Sequence, residues 1–400
     1  MQQPYCLKGI AMASRRELDD WTALWNEVAQ VFSPGAPIDE SDLFAGRITQ
    51  LGDLINAVNQ RGHHAIIFGE RGVGKTSLAN IFTNYVHRPV SRVVAKRINC
   101  DGISNFQNLW QRSFAELGIE AHVTASFGPD DIRMTLDSVS ANYLPIIVFD
   151  EFDRLSSGRT KALLADTIKT LSDHSTSTTI VVVGVANSVS ELLAEHASIG
   201  RALAEIPMPR MSDDEISEII DKRAKRLGMS VDADVLRRIV AYSQGLPHYA
   251  HLIGLYAFQE AARLKTRNID KFHLSNAIRS CIDKAQQTIR DSYDRATYSP
   301  RSDNLFKQVL LACSLAKVDS QGFFAAADVV QPLSAIMAKH YDIPSFARHL
   351  KEFCSTGRGF LLEQTGVKRK FRYRFKDPLM RPFITLQGVA SDTIPRAYNP

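Results

Sequence analysis

Three apolar runs of strand length punctuate the first half of the chain: Ala65 to Phe68, Pro145 to Phe149 and Thr179 to Val185. They are continuous rather than alternating, which predicts strands covered on both faces, as in a parallel sheet flanked by helices. Helical spacing dominates elsewhere. Leu18, Trp21, Trp25, Val28 and Phe32 fall on one helical stripe behind a capping box of Ser14 and Glu17, and Ser33-Pro34-Gly35-Ala36-Pro37 then ends that helix as a linker. Such a stripe packs on the core that follows it or docks on a neighbour, since aromatics anchor interfaces. A helical segment runs from the capping box Ser212 and Glu215 to about Arg290, with Leu252, Leu255, Tyr256 and Gln259 on one packing face and Ile269 to Thr288 as the last helix.

The tail repeats helical spacing over Asn304–Leu315, Ala325–His340 and Ser345–Cys354, with Pro344 in the turn before the third, and then turns to strand spacing. This order predicts a winged helix. In the third helix Phe346, Leu350 and Phe353 face inward, while Arg348, His349 and Lys351 face out.

The first apolar run feeds directly into Gly69-Glu70-Arg71-Gly72-Val73-Gly74-Lys75-Thr76, which reads G-x-x-x-x-G-K-T, and Ser77 continues into a helix. Glycines at those places let backbone N–H groups close around phosphate oxygens. Lys75 neutralises the β- and γ-phosphates, and the Thr76 hydroxyl ligates Mg²⁺. The second run ends in Asp150-Glu151, where Asp150 completes the Mg²⁺ shell and Glu151 polarises the attacking water. The third ends in Asn187, a neutral amide suited to orienting that water or reading the γ-phosphate, or simply to turning the chain. Arg201 is a candidate for meeting a neighbouring subunit's γ-phosphate.

Charge changes the picture of the tail. The formal net charge of +5 is unevenly shared: residues 301–400 hold 15 Lys and Arg against eight Asp and Glu, and the first 300 are net −2. Lys368-Arg369-Lys370-Phe371-Arg372-Tyr373-Arg374-Phe375-Lys376 interleaves cations with aromatics at strand spacing. A hairpin there turns Phe371, Tyr373 and Phe375 inward and the cations Lys370, Arg372, Arg374 and Lys376 outward, as suits a phosphate backbone. The candidate double-stranded DNA contacts are Arg348, Lys351, Lys368, Arg369, Lys370, Arg372 and Arg374. The other reading of the same tail is a protein-binding winged helix.

Leu43-Phe44-Ala45-Gly46-Arg47, Ile98-Asn99-Cys100, Asp150-Glu151-Phe152-Asp153 and Gly184-Val185-Ala186-Asn187, together with that tail, resemble the Orc1/Cdc6-like branch of AAA+ ATPases from about Asp42 to Phe383. The resemblance implies an ATP-dependent oligomerising switch that binds DNA and hydrolyses slowly. It also places Phe44 to Arg47 near the base or ribose, with Arg47 a candidate phosphate ligand. One departure is Gly245-Leu246-Pro247-His248, which looks like the G-x-P element of STAND signalling ATPases and puts His248 at the lid's sensor position. The expected fold is α/β, a P-loop parallel-sheet ATPase core of the AAA+ type with a helical lid and a C-terminal winged-helix domain. Its divisions are an N-terminal helix and linker (1–35), core (36–210), lid (211–295), winged helix (296–390) and tail (391–400).

Two functions remain open: a nucleotide-gated DNA assembly serving replication, transposition, plasmid maintenance or phage defence, and a STAND-like signalling switch whose tail binds protein. In both, ATP and Mg²⁺ are the expected cofactors, a homo-oligomer and a protein partner carrying the effector chemistry are expected, and no membrane is involved. At 400 residues and 44% hydrophobic the chain has material for two or three cores, and no apolar run reaches membrane length. The N-terminal stretch lacks the apolar core of a secretory signal, so the expected location is the cytoplasm. Five scattered cysteines give neither a disulfide framework nor a zinc spacing.

Overall fold

A computed structural model describes residues 20–37, 41–86, 92–140, 142–193, 199–300, 304–319, 321–367 and 370–398. They fall into two compact units, Pro37–Pro209 and the remainder, residues up to Ala36 with those from Arg210 onward. Ser14, Glu17 and Leu18 lie outside the described residues, as do Lys368 and Arg369.

A helix over residues 20–31 (α1) opens the described chain. The unit that begins at Pro37 then runs α2 (Ile48–Val58), β1 (His64–Gly69), α3 (Lys75–Val86), β2 (Val93–Asn99), α4 (Phe106–Leu117), α5 (Pro129–Val139), β3 (Leu144–Asp150), α6 (Gly158–Asp173), β4 (Thr179–Val185), the short α7 (Val189–Leu192) and β5 (Leu203–Pro207). The five strands pair in the order β2-β3-β4-β1-β5, all parallel. Burial on both faces explains the unbroken apolar runs: Ile66, Ile67, Ile147, Val148, Val181 and Val182 are fully buried. Trp110 is fully buried too, with Phe106, Phe114 and Phe149 edge-on or tilted around it. Parallel pairing sends every strand's carboxyl end to one edge, where Gly69 is in register with Val185 and Asn99 with Asp150.

The second unit continues with α8 (Asp213–Leu227), β6 (Ser230–Val231), α9 (Ala233–Ser243), α10 (Pro247–Arg263), β7 (Asn268–Ile269), α11 (Lys271–Asp283) and α12 (Gln287–Thr297). The Ser212–Glu215 capping box forms at the start of α8, as its sequence predicts. The helix expected over Ile269–Thr288 is instead two, because Lys284 to Gln286 leave helical geometry between α11 and α12.

The stripe on α1 packs differently from its expectation. Leu24, Val28, Val31 and Phe32 are buried, whereas Trp25 is 43% exposed. Their partners include α8 and α10. Phe32 stacks on Phe258 with centroids 4.9 Å apart, Arg223 donates from Nε to the Val31 carbonyl at 3.0 Å, and Ser33 N–H donates to His251 Nδ1 at 3.2 Å.

The tail comprises α13 (Phe306–Leu315), β8 (Phe324–Ala325), α14 (Ala326–Ile336), α15 (Ile343–Phe353), β9 (Leu362–Thr365), β10 (Arg372–Phe375) and α16 (Met380–Ala390). Its three strands form an antiparallel sheet, β8-β10-β9. Helix α14 stops at Ile336, short of His340, and Pro344 lies inside the first turn of α15, where its missing N–H costs nothing. Asp342 caps that turn, accepting from Ser345 N–H at 3.2 Å. Phe346, Leu350 and Phe353 are fully buried, but His349 is half-buried, its ring centroid 4.8 Å from that of Phe306.

Candidate nucleotide-binding site

The cradle follows β1 and is shaped by backbone that only glycine adopts easily: Gly72 has φ 85° and Gly74 φ 95°. At Gly69 the close neighbour is also decisive, because a Cβ there would collide with the Met208 carbonyl oxygen. Val73 is fully buried and anchors the loop, and α3 begins at Lys75.

Lys75 is 8% exposed, and its ammonium donates to the carbonyls of Gly69 at 3.0 Å and Glu70 at 2.7 Å. Burial pulls its pKa down to about 8, against the opposing fields of Asp153, Asp150 and Glu70. Thr76 Oγ1 lies 3.4 Å from Asp150 Oδ1, joining the first turn of α3 to the end of β3. Burial pushes the Asp150 carboxyl upward, and its oxygens are met by Glu151 N–H at 2.8 Å and Arg97 Nη1 at 3.7 Å. Arg97 in turn donates to Asn80 Oδ1 on α3. A hydroxyl and a buried carboxylate this close are the hard oxygen pair that Mg²⁺ takes when it keeps several waters, so the residues fit that ion.

Glu151 stands just beyond the strand in left-handed backbone, φ 55° and ψ 37°. Its carboxylate accepts from Arg154 Nη1 at 2.6 Å, with both side chains about half exposed. Asp153 Oδ1 accepts from Val185 N–H at 2.7 Å, which ties the turn after β3 to the end of β4. Asn187, two residues on, is exposed, and Glu191 accepts from its main-chain N–H at 2.9 Å and its side-chain Nδ2 at 3.2 Å. Arg201 is exposed, as are Arg71 and Glu151, while Glu70 and Ser77 are half-buried.

Lys75, Thr76, Asp150 and Glu151 are thus brought together as the motif spacing predicts. Arg47 is bound instead to the main chain around the cradle. It is 3% exposed, and its Nη2 donates to the carbonyls of Val73 at 3.1 Å and Pro209 at 2.6 Å, which holds that end of the guanidinium on the main chain. His248 belongs to the other unit, where its Nδ1 donates to the Pro34 carbonyl at 2.7 Å. The G-L-P element before it has a local cause: Gly245 has φ 74°, a Cβ there would sit 2.7 Å from the Met211 carbonyl oxygen, and Pro247 occupies the first turn of α10.

Two residues of the site escape motif reading. Arg97 supports Asp150 from β2, and only its place on a strand paired in register with β3 reveals it. Asp153 has a sequence signal, standing three residues after Asp150 in the same acidic run, but its role depends on β4. His64 next to the cradle strand is structural: its Nδ1 accepts from Ile180 N–H at 3.0 Å, and burial, then His63, pull its pKa down to about 4.

The tail cations are not the free outward row expected. Arg372 pairs with Asp319 at 2.7 Å, Arg374 with Glu363 directly across the hairpin, and Arg348 with Glu352 at 2.6 Å. Arg374 lies 4.4 Å over the Phe323 ring, and its side chain is only 13% exposed. Acids on other segments thus take up Arg372 and Arg374, and one a turn along α15 takes up Arg348; Lys351 and Lys370 remain exposed. Among the described residues no helix is long and apolar enough to cross a membrane, and no group of three or more His, Cys, Asp or Glu is placed to hold a metal.

Among solved structures, the ORC2 protein of Aeropyrum pernix is similar with a TM-score of 0.50 at 14% identity, covering 91% of this chain and 98% of that one. A Walker-type ATPase of Pyrococcus abyssi matches with a TM-score of 0.51 at 15% identity, covering 88% and 99%. At such identities the likeness is one of fold. Two curated relatives match over a shorter stretch: the DNA polymerase III subunit tau/gamma of Haemophilus influenzae, 35% identical over 121 residues (29% of this chain), and the tau subunit of Bacillus subtilis, 37% over 120 residues (28%). Those stretches span 15% and 20% of the relatives' own lengths. A family model described as Novel STAND NTPase 1 matches residues 37–321, a span that takes in the cradle, the acidic strand end and the G-L-P element. On that match, over well more than half its length, the chain belongs to the novel STAND NTPase 1 family of P-loop NTPases.

Proposed function

We propose that this chain is an ATP-dependent switch that hydrolyses ATP slowly and changes partners or assembly state with the nucleotide. The observation that carries the reading is the meeting of Lys75, Thr76 and Asp150 beside Glu151 at one edge of a parallel sheet. Lys75 leaves its two loop carbonyls for phosphate oxygens. Thr76 and Asp150 would hold Mg²⁺, which would supply charge neutralisation for the phosphates. In hydrolysis the water oxygen bonds to the γ-phosphorus as the bond to the β–γ bridging oxygen breaks, its electron pair leaving with ADP. Glu151 takes the water's proton, Asn187 orients the water, and Arg201 serves a neighbouring copy in a homo-oligomer.

The tail is a winged helix by its order of helices and hairpin, and it is the element that meets the effector. A protein partner is the first reading, as suits a signalling switch of the STAND type; the arginine pairs with Asp319, Glu363 and Glu352 add only a small cost to DNA contact, because exposed ion pairs are weak. DNA contact through Lys351, Lys370 and those arginines is the second reading, supported by the tail's net positive charge.

The test compares Glu151→Gln with wild type in ATP turnover and in binding of a fluorescent ATP analogue. Turnover lower by about 100-fold or more with binding retained is expected. Unchanged turnover would sink the assignment of Glu151. Anisotropy of a labelled duplex, with and without ATP and Mg²⁺ at two salt concentrations, separates the tail readings: binding near physiological salt that needs ATP supports DNA.

A further inference from the structure

Within the turn that follows β3, one residue is strained and one charge pair closes on it. Glu151 adopts left-handed backbone, which L-residues avoid and which persists where surrounding contacts over-determine it. Here they do. Phe152 is fully buried, Arg154 N–H donates to the Glu151 carbonyl at 3.0 Å, and Asp153 is fastened to Val185 N–H. The backbone of the turn is therefore fixed from inside, while the side chains of Glu151 and Arg154 stand about half exposed above it. They can separate without disturbing the core.

We propose that Arg154 is a positioning residue that holds Glu151 in a resting arrangement and limits basal ATP hydrolysis; this rests on the reading above that Glu151 activates the attacking water. A carboxylate that is to take a proton from water needs a lone pair aimed at that water. The charge-assisted bond from Arg154 Nη1 to Glu151 Oε2 at 2.6 Å occupies one oxygen and draws the side chain back along its own turn. Arg154 also has somewhere else to go. The Glu151 bond is the main influence that holds the Arg154 guanidinium's pKa up, and the carboxylates of Asp101, on the loop after β2, and Asp153 act in the same direction. Ser156 Oγ donates to the Gly102 carbonyl at 2.6 Å, which fastens that loop beside the turn. The pair is thus a two-position device: Arg154 on Glu151 in the resting protein, and Arg154 turned to Asp101 when Glu151 swings to the water.

The experiment measures steady-state ATP turnover and binding of a fluorescent ATP analogue for the full chain as wild type, Arg154→Ala, Arg154→Lys, Glu151→Gln and the Arg154→Ala/Glu151→Gln double variant. An exposed ion pair is weak, so the expected gain in kcat for Arg154→Ala is about two- to fivefold, with KM and ATP affinity unchanged. Arg154→Lys returns kcat toward wild type, and the double variant is as inactive as Glu151→Gln. Arg154→Gln replaces Arg154→Ala should the latter fail to fold. A kcat for Arg154→Ala that is unchanged or lowered, beside an inactive Glu151→Gln, overturns the role of Arg154 and leaves that of Glu151 standing. Wild-type turnover in Glu151→Gln overturns both.

Discussion

The ring of Phe32 occupies the space in which a side chain on Gly254 would stand, so that even a Cβ there would collide with the ring's Cε1. Phe32 is 1% exposed and is flanked by His251, Phe258 and the guanidinium of Arg223. A large-to-small change should leave a cavity, and a small-to-large one should evict the ring. Phe32→Ala is expected to cost about 3–5 kcal/mol and Gly254→Val about 1–3 kcal/mol, read by chemical denaturation followed through Trp21 and Trp25 fluorescence. Each variant denaturing like wild type would mean that residues 20–36 add nothing to the unit on which they pack.

Lys75 predicts a pH dependence of its own. Its pKa is lowered to about 8 in the fold from 10.5 in an unfolded chain. Between those values the unfolded chain binds more protons than the fold, so stability rises with pH through that window. The rise approaches about 3 kcal/mol at most. Comparing Lys75→Met with wild type at pH 7.5 and 10 isolates it, because the methionine variant should lack this increment. Equal slopes for the two proteins would contradict the buried ammonium.

For nucleotide binding, Lys75→Ala is expected to weaken ATP affinity by about 100-fold or more, since the buried cation is the group nearest the phosphates in the cradle motif. Asp150→Asn is expected to retain the fold and lose the Mg²⁺ enhancement of ATP affinity, measured by titration with and without the ion. A magnesium response like that of wild type would remove Asp150 from the metal shell.

On the tail, Arg374→Glu should destabilise more than Arg372→Glu. The Arg374 side chain is 13% exposed against 46% for Arg372, it stacks nearer to Phe323, and the change opposes Glu363 with a like charge. A loss of about 1–2 kcal/mol is expected for Arg374→Glu and under 1 kcal/mol for Arg372→Glu. If both leave stability untouched but abolish duplex binding, the cations serve DNA rather than the hairpin.

The cradle and the acidic strand end were legible because their chemistry is local: each is a short run whose residue types the phosphate and metal dictate. Less legible was anything decided by a distant partner. Arg47 reads from its motif as a ligand, and its bonds from Nη2 to the Val73 and Pro209 carbonyls depend on loops that the motif does not include. The tail arginines read as a free row because Asp319 and Glu363 lie on other elements. On α1 the periodicity was correct and the face was rotated: Leu24 lies inward and Trp25 outward, a difference of one residue that spacing resolves poorly. The break between α11 and α12 carries neither glycine nor proline and so gives no signal at all.

The path of the chain has a consequence for biosynthesis. Val31 and Arg223, which donates to its carbonyl, are 192 residues apart, and Pro34 and His248 are 214 apart. At ribosomal speeds of about 5–20 residues per second, the apolar face of α1 waits about 10–40 seconds before its partners emerge. The unit that begins at Pro37 is complete and able to fold during that wait. Helix α1 is therefore made well before the helices it docks on, and in the interval its Leu24 and Val28, with Phe32 after it, are open to chaperones and to neighbouring nascent chains.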